Sequence, residues 1–183
     1  MIRTLSGNKL LQLMQGDITQ VPVDAICNAA NSQLAGGGGV DGAIHLAGGP
    51  AIMRELDEIR NRQGGCPTGS AVATSAGSLP AKWVFHAVGP IFSGGTNGEP
   101  EALRSAYRSC LDLAEDKGAE YISFPSISTG VYGYPVAQAA AIALDEVAHR
   151  LSEPGSKLQK VVFVLFDDKT YKAYVEALRG IAV

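Results

Sequence analysis

Asp41 and His45 stand four residues apart in the stretch GGGGVDGAIH, residues 36–45. On a helix that spacing sets a carboxylate and an imidazole on one face, close enough to work on a single water. Histidine changes protonation near neutral pH and can take part in proton transfer. A carboxylate near a helix N-terminus is favoured in its charged form and can orient a water, a sugar hydroxyl or the imidazole. Hydrolysis of an acyl ester needs these two capacities, one group that removes a proton and one that steadies negative charge. The spacing leaves open which group abstracts the proton and which carbon water attacks. Taken without its surroundings, His45 reads first as a hydrogen-bonded histidine on a helix face and only second as a catalyst.

The surroundings are glycines. Between Asn28 and Met53 there is no Lys or Arg, and the run Gly36, Gly37, Gly38, Gly39 ends at an expected helix start near Val40. Glycine lets backbone approach a ligand closely, and a helix N-terminus offers unpaired amides at the positive end of its dipole. A second stretch, SISTGVYGYP (126–135), contains Gly130 and Gly133, follows a strand pattern at 121–124, feeds a helix opened by Pro135, and also lacks Lys and Arg. Two such cradles at the carboxyl ends of strands suit a diphosphate held between them. The competing reading is two ordinary turns.

The elements that must position these loops follow from periodicity. Strand patterns occur at 10–14, 23–28, 70–74, 82–88, 121–124 and 161–166, several of them continuous apolar runs of the kind a sheet covered on both faces requires. Helical patterns alternate with them. Leu103, Ala106, Tyr107, Cys110, Leu113 and Ala114 recur at helical spacing behind Glu99 and Glu101 and ahead of Gly118. Pro135 is expected at a first helical position of a helix reaching Arg150. Asp167 or Asp168 caps a last helix that stops at Gly180. The alternation predicts an α/β domain of three α/β/α layers with a central, largely parallel sheet, formed by the whole chain, 1–183, as a single unit.

Composition narrows the classes. Fifteen basic and 18 acidic residues leave a formal charge of −3, which excludes a bulk electrostatic grip on nucleic acid or an anionic membrane. Cys27, Cys66 and Cys110 are odd in number and scattered, with neither a C-x-x-C pair nor other metal-ligand spacing, so no metal, no cofactor and no disulfide framework is expected. Cys27, inside a strand, reads as packing rather than as a nucleophile. No signal peptide or membrane span is expected, and a cytoplasmic location is. Gly37 to Gly42 also satisfy G-x-G-x-x-G, but NSQLA separates strand from glycines and no second-strand acid follows, against a nicotinamide oxidoreductase. His86, within the strand pattern KWVFHAV, reads as a strand residue with a local hydrogen-bond partner, and His149 ends an exposed helix.

GDIT (16–19), VDAICNAANSQLAGGGGVDGAIHLAGG (23–49), LPAKWVFHAVGP (79–90) and SISTGVYGYP resemble a macrodomain of the MacroD type over nearly the whole chain. The resemblance implies binding of ADP-ribose. It also implies hydrolysis of ADP-ribosyl esters, removing single ADP-ribose units from Asp or Glu side chains of mono-ADP-ribosylated proteins and deacetylating O-acetyl-ADP-ribose. ADP-ribosylated nucleic-acid ends are a further substrate class it leaves open. By the same resemblance Asp17 accepts a hydrogen bond from the adenine amino group, Ile18 contacts the ring through its backbone, and Phe166 lies against the adenosine. For Asp17 and Phe166 the plain alternatives are a turn cap and a core aromatic. Gly37, Gly38, Gly39 and Val40 match one diphosphate loop, and Ser128, Thr129, Gly130, Val131 and Tyr132 the other. Asn31 positions the distal ribose and the ester, Asn28 is structural at its strand end, and Asp41 with His45 forms the catalytic pair. A module that binds ADP-ribose without turnover is the alternative, and it has no need of that pair. The absence of a long exposed apolar stripe points to a monomer.

Overall fold

The computed structural model describes residues 1–182 and is built on one seven-stranded sheet. Its strands are β1 (Ile2–Thr4), β2 (Leu10–Gln15), β3 (Ala25–Ala30), β4 (Ala71–Ser75), β5 (Trp83–Val88), β6 (Tyr121–Phe124) and β7 (Lys160–Leu165), in the spatial order β1-β2-β7-β6-β3-β5-β4. Neighbours are parallel except at the two edges, where β1 pairs antiparallel with β2 and β4 with β5. The helices are α1 (Gly39–Gly48), α2 (Pro50–Gln63), α3 (Glu99–Lys117), α4 (Val136–Ser152) and α5 (Asp168–Arg179).

Period-two alternation divides the strand side chains between two cores. Leu11, Leu13, Cys27, Phe85, Ile122, Phe124, Val161 and Phe163 pack with α3, α4 and α5 on one face. Ile26, Ala30, Val84, Val88, Val162 and Val164 pack with Ile44 of α1 and Ile52, Leu56 and Ile59 of α2 on the other. These are the three layers the alternation of elements predicts.

Three details differ from the sequence reading. β1, with only Ile2, Arg3 and Thr4, carries no apolar run to betray it, and its register against β2 supplies the signal instead. β3 runs Ala25–Ala30 rather than 23–28, because the Val23 N–H is diverted to the Pro80 carbonyl. Pro135 is not a first helical residue: with φ −58° and ψ 126° it caps a helix that begins at Val136. The ends of α3 and α5 follow the expected chemistry. Gly118 takes φ 69° past α3, and the Asp167 carboxylate accepts the Thr170 N–H at 2.7 Å ahead of α5.

The chain leaves β3 through α1 on one face and moves outward to β5 and β4. It leaves β6 through α4 on the opposite face and returns to β7. β3 and β6 are neighbours, so the sheet reverses direction between them, which is where open α/β sheets bind ligands. Their ladder covers only Ala25 with Ile122 and Ile26 with Ser123. Beyond that point the strands part, leaving a fork at their carboxyl ends.

Candidate active site

The first glycine loop spans the gap from the end of β3 to α1. Asn31 organises it: its Nδ2 donates to the Gly36 carbonyl at 2.8 Å, and its Oδ1 accepts the Ala35 N–H at 3.1 Å. Leu34 is buried at φ 56° and anchors the loop in the α1–α2 core. The chain turns at Gly36, φ 79°, and α1 begins at Gly39 with Gly38 as its cap. A Cβ built on Gly37 would lie 3.8 Å from Asp41 Oδ2 and 4.0 Å from Asn31 Nδ2, so the bare face of Gly37 borders both side chains.

Two buried tyrosines hold the second loop, which follows β6. Tyr107 of α3 donates to the Pro125 carbonyl at 3.3 Å and accepts the Ile127 N–H at 2.9 Å, while the Tyr174 hydroxyl donates to Ser126 Oγ at 2.9 Å. Ser128 is buried with φ 67°, a left-handed conformation unusual for a residue with a Cβ. Gly89 makes room for it, since a Cβ there would meet Ser128 Oγ and Ile127 Cγ2 inside contact distance. The Tyr134 N–H closes the turn on the Ser128 carbonyl at 2.9 Å. Among the described residues the N–H groups of Ser128, Thr129, Gly130, Val131 and Tyr132 donate to no acceptor in the protein, and neither do those of Gly37, Gly38, Gly39 and Val40. Neither loop contains a cationic side chain.

Asp41 and His45 come together as their spacing requires, with His45 Nε2 3.3 Å from Asp41 Oδ1. Asp41 is buried in the first turn of α1, and Oδ1 also accepts the Asn28 amide at 2.8 Å. The other Asn28 contact runs to His86 Nδ1 at 3.1 Å, and His86 Nε2 meets Thr74 Oγ1 at 2.9 Å. Sequence reasoning passed over Asn28, Thr74 and His86 as parts of a site. Their signal was parity: all three fall on the strand face that otherwise carries Ile26, Val84 and Val88, and a polar residue on such a face must find a partner. Burial lowers the pKa of His86 to about 3, helped by the nearby His45, so it is neutral at pH 7.

Asp17 and Ile18 lie at the carboxyl end of β2. Asp17 does cap a turn, its Oδ1 accepting the Thr19 N–H at 2.9 Å and the Thr19 hydroxyl at 2.7 Å, while Oδ2 has no protein partner among the described residues. Phe166, just past β7, is 85% exposed and is therefore not a core aromatic. Asp17, Phe166, the second loop and the first loop thus succeed one another along β2, β7, β6 and β3, three strand spacings or roughly 14 Å at ~4.8 Å each. A cleft of about 320 Å³ opens beside them between Ser32, Gly89, Pro90, Ile91 and Tyr132. Its wall is the 90–98 loop, gathered on the Glu99 carboxylate by the N–H groups of Ser93, Gly95 and Asn97 at 2.6–2.9 Å. Those bonds, Ser93 foremost, hold the Glu99 pKa down to about 2.

The cysteines stand apart from this chemistry. All three are buried and free, and burial pushes the Cys27 thiol up and that of Cys66 to about 11, the opposite of an activated nucleophile. Among the described residues no group of three or more His, Cys, Asp or Glu side chains is placed to hold a metal ion, and no helix is long and apolar enough to cross a membrane.

Comparison with known proteins identifies the family and agrees with the fold. The family described as "Macro domain" matches residues 27–143. An O-acetyl-ADP-ribose deacetylase of Pantoea vagans is 52% identical over 170 residues, covering 93% of this chain and 99% of its own. A macro domain-containing protein of Caldanaerobacter subterraneus subsp. tengcongensis is 57% identical over 167 residues, 91% of this chain and 94% of its own. The Oceanobacillus iheyensis macrodomain with ADP superposes with a TM-score of 0.92 at 43% identity, over 98% of this chain and 94% of that one. The Trypanosoma brucei macrodomain in complex with ADP-ribose gives 0.84 at 42% identity, over 92% and 68%. The chain belongs to the macro domain family.

Proposed function

We propose that this protein binds ADP-ribose and hydrolyses its acyl esters, releasing acetate from O-acetyl-ADP-ribose and freeing the Asp or Glu side chains of mono-ADP-ribosylated proteins. The observation that carries the reading is two rows of backbone N–H groups, none with a protein acceptor, in the loops that follow the neighbouring strands β3 and β6, the first of them beside the carboxylate of Asp41. The amides hold the diphosphate. Asp17 Oδ2 accepts from the adenine amino group, and Phe166 covers the adenosine. The distal ribose then falls at Gly37, between Asn31 and Asp41.

Asp41 Oδ1 is engaged by Asn28 and faces His45 Nε2, which leaves Oδ2 to orient the attacking water or the ribose hydroxyl and to accept a proton. His45 steadies the charge as it shifts. Water adds to the acyl carbon as Asp41 takes its proton, the bond between the acyl carbon and the ribose oxygen breaks as that proton passes to the departing oxygen, and the acid and the free ribose hydroxyl leave. The cleft beside Tyr132 gives the acyl group, or the peptide that bears it, somewhere to lie. The same-named relatives of Pantoea vagans and Salmonella gallinarum support the deacetylase half of this reading.

The test is to incubate the purified protein with O-acetyl-ADP-ribose and with a glutamyl-ADP-ribose conjugate and follow free ADP-ribose. His45→Ala should slow turnover by roughly 10²–10³-fold, the range for loss of a group that stabilises developing charge, with ADP-ribose affinity kept within a few-fold. Wild-type turnover by that variant sinks the role of His45. A native protein that gives no calorimetric signal with ADP-ribose sinks the site.

A further inference from the structure

We propose that His86 is a positioning residue, which acts through Asn28 to fix the orientation of the Asp41 carboxylate and so selects Oδ2 as the oxygen presented to the ligand. The inference rests on the role proposed above for Asp41 and extends it two residues into the sheet.

The geometry is a chain of donors with one consistent direction. Thr74 Oγ1 donates to the Ser75 carbonyl at 2.9 Å, so its hydrogen is committed and its lone pair is free to accept from His86 Nε2 at 2.9 Å. His86 then carries its proton on Nε2 and offers Nδ1 as an acceptor. Asn28 Nδ2 has two hydrogens, one for His86 Nδ1 at 3.1 Å and one for Asp41 Oδ1 at 2.8 Å. Rotating the Asn28 amide by half a turn would set its oxygen against a carboxylate oxygen and an imidazole lone pair. The observed orientation persists although it leaves Asn28 Oδ1 buried with no donor. His86 and Asp41 together oppose the alternative, and a residue at 86 without an acceptor removes one of the two restraints, leaving the amide held by the carboxylate it is meant to position.

Register makes the chain rigid. Asn28 is paired with His86 in the parallel β3–β5 ladder, and Val72 and Thr74 flank it on β4, so all three side chains project from adjacent strands onto the face covered by α1. Asp41 is therefore located by the sheet as well as by its own helix. His45 Nε2 lies 3.3 Å from the same Oδ1, beside the oxygen that Asn28 already engages.

The test compares His86→Leu and His86→Asn with Asp41→Asn, reading kcat and KM on O-acetyl-ADP-ribose. Asparagine restores an acceptor near the place of Nδ1, whereas leucine fills similar volume without one. A packing role ranks leucine above asparagine, and a positioning role ranks them the other way. His86→Leu should lower kcat roughly 10–100-fold, as sub-ångström to ångström misplacement of a reacting group does, with KM within about twofold, and His86→Asn should recover at least half of that loss on a logarithmic scale. Equal rates for the leucine variant and the wild type, with Asp41→Asn slow, refute the relay and leave Asp41 in its role. A fast Asp41→Asn variant refutes that role instead. Should the variants not fold, ¹⁵N NMR of the wild-type imidazole decides: a proton on Nε2 at neutral pH is required, and a proton on Nδ1 overturns the proposal.

Discussion

Gly42 sits in the second turn of α1, next to Asp41, and its replacement by alanine sets two effects against each other. In a helix interior alanine is favoured over glycine by about 0.8–1.0 kcal/mol, and Gly42 is not among the residues at positive φ, so the backbone itself accepts the change. Against this, the new Cβ would lie 2.5 Å from the Gly37 carbonyl oxygen, and the neighbour is main chain rather than the end of a flexible side chain. Ordinary contact begins at 3.4 Å, so the Gly37 peptide must retreat by about 0.9 Å. Overpacking of this kind costs ~1–3 kcal/mol, enough to cancel the gain in helix propensity. The larger effect falls on binding. Displacing the first loop by nearly an ångström removes one amide contact to a charged oxygen, worth ~1.5–3 kcal/mol, or roughly 10- to 150-fold in ADP-ribose affinity. Calorimetry with ADP-ribose beside thermal unfolding followed by circular dichroism reads both quantities. A Gly42→Ala protein with raised Tm and unchanged affinity would refute the argument that this loop is held against α1 and that its amides grip the ligand.

Tyr107→Phe removes the acceptor of the buried Ile127 N–H and the donor to Pro125; it should lower stability to urea by about 1–3 kcal/mol and weaken ADP-ribose binding through the second loop, and a change under 0.5 kcal/mol would mean the hydroxyl does not hold that loop. Acid should destabilise the fold in two overlapping windows. His86 is a base whose folded pKa, about 3, lies below its ordinary 6.5, so the unfolded chain takes up a proton first and stability is lost as pH falls from about 6.5 toward 3, by at most about 5 kcal/mol. Glu99, held at about 2 against an ordinary 4.5, contributes stability that is complete above pH 4.5 and lost as pH falls toward 2. Urea midpoints at pH 7, 5.5 and 4.5 should decline in that order for the wild type and less steeply for His86→Asn; a flat wild-type profile contradicts the buried neutral imidazole.

Much of this was legible in the sequence where the signal is local. The four-residue spacing of Asp41 and His45 gives their 3.3 Å approach, because a helix repeats within that distance whatever surrounds it. The runs of apolar residues give β6 to the residue and β2, β4, β5 and β7 to within one at either end. What escaped was non-local. Asn28 and His86 are 58 residues apart and meet only because β3 and β5 are neighbours in parallel register, which no local period encodes. β1 was too short to show a period, and Pro135 failed as a first helical residue by one position, since its fixed φ suits a cap as well as a first turn. The motif match gives Asn31 a place beside the ligand, and its bonds to Gly36 and Ala35, which shape the loop whose glycines border Asp41, are a second task that no motif spells out.

The unfinished ladder between β3 and β6 has a mechanical meaning. Two register pairs and the Asp24 N–H on the Tyr121 carbonyl join β3 to β6, the Phe92 N–H reaches the Tyr132 carbonyl between the loops beyond, and α1 and α4 lie in different layers. A nucleotide that touches the loop from each strand spans the gap as a rivet spans a seam, so occupancy and the cohesion of the two halves of the sheet become one equilibrium. Resistance to unfolding should then climb with free ligand.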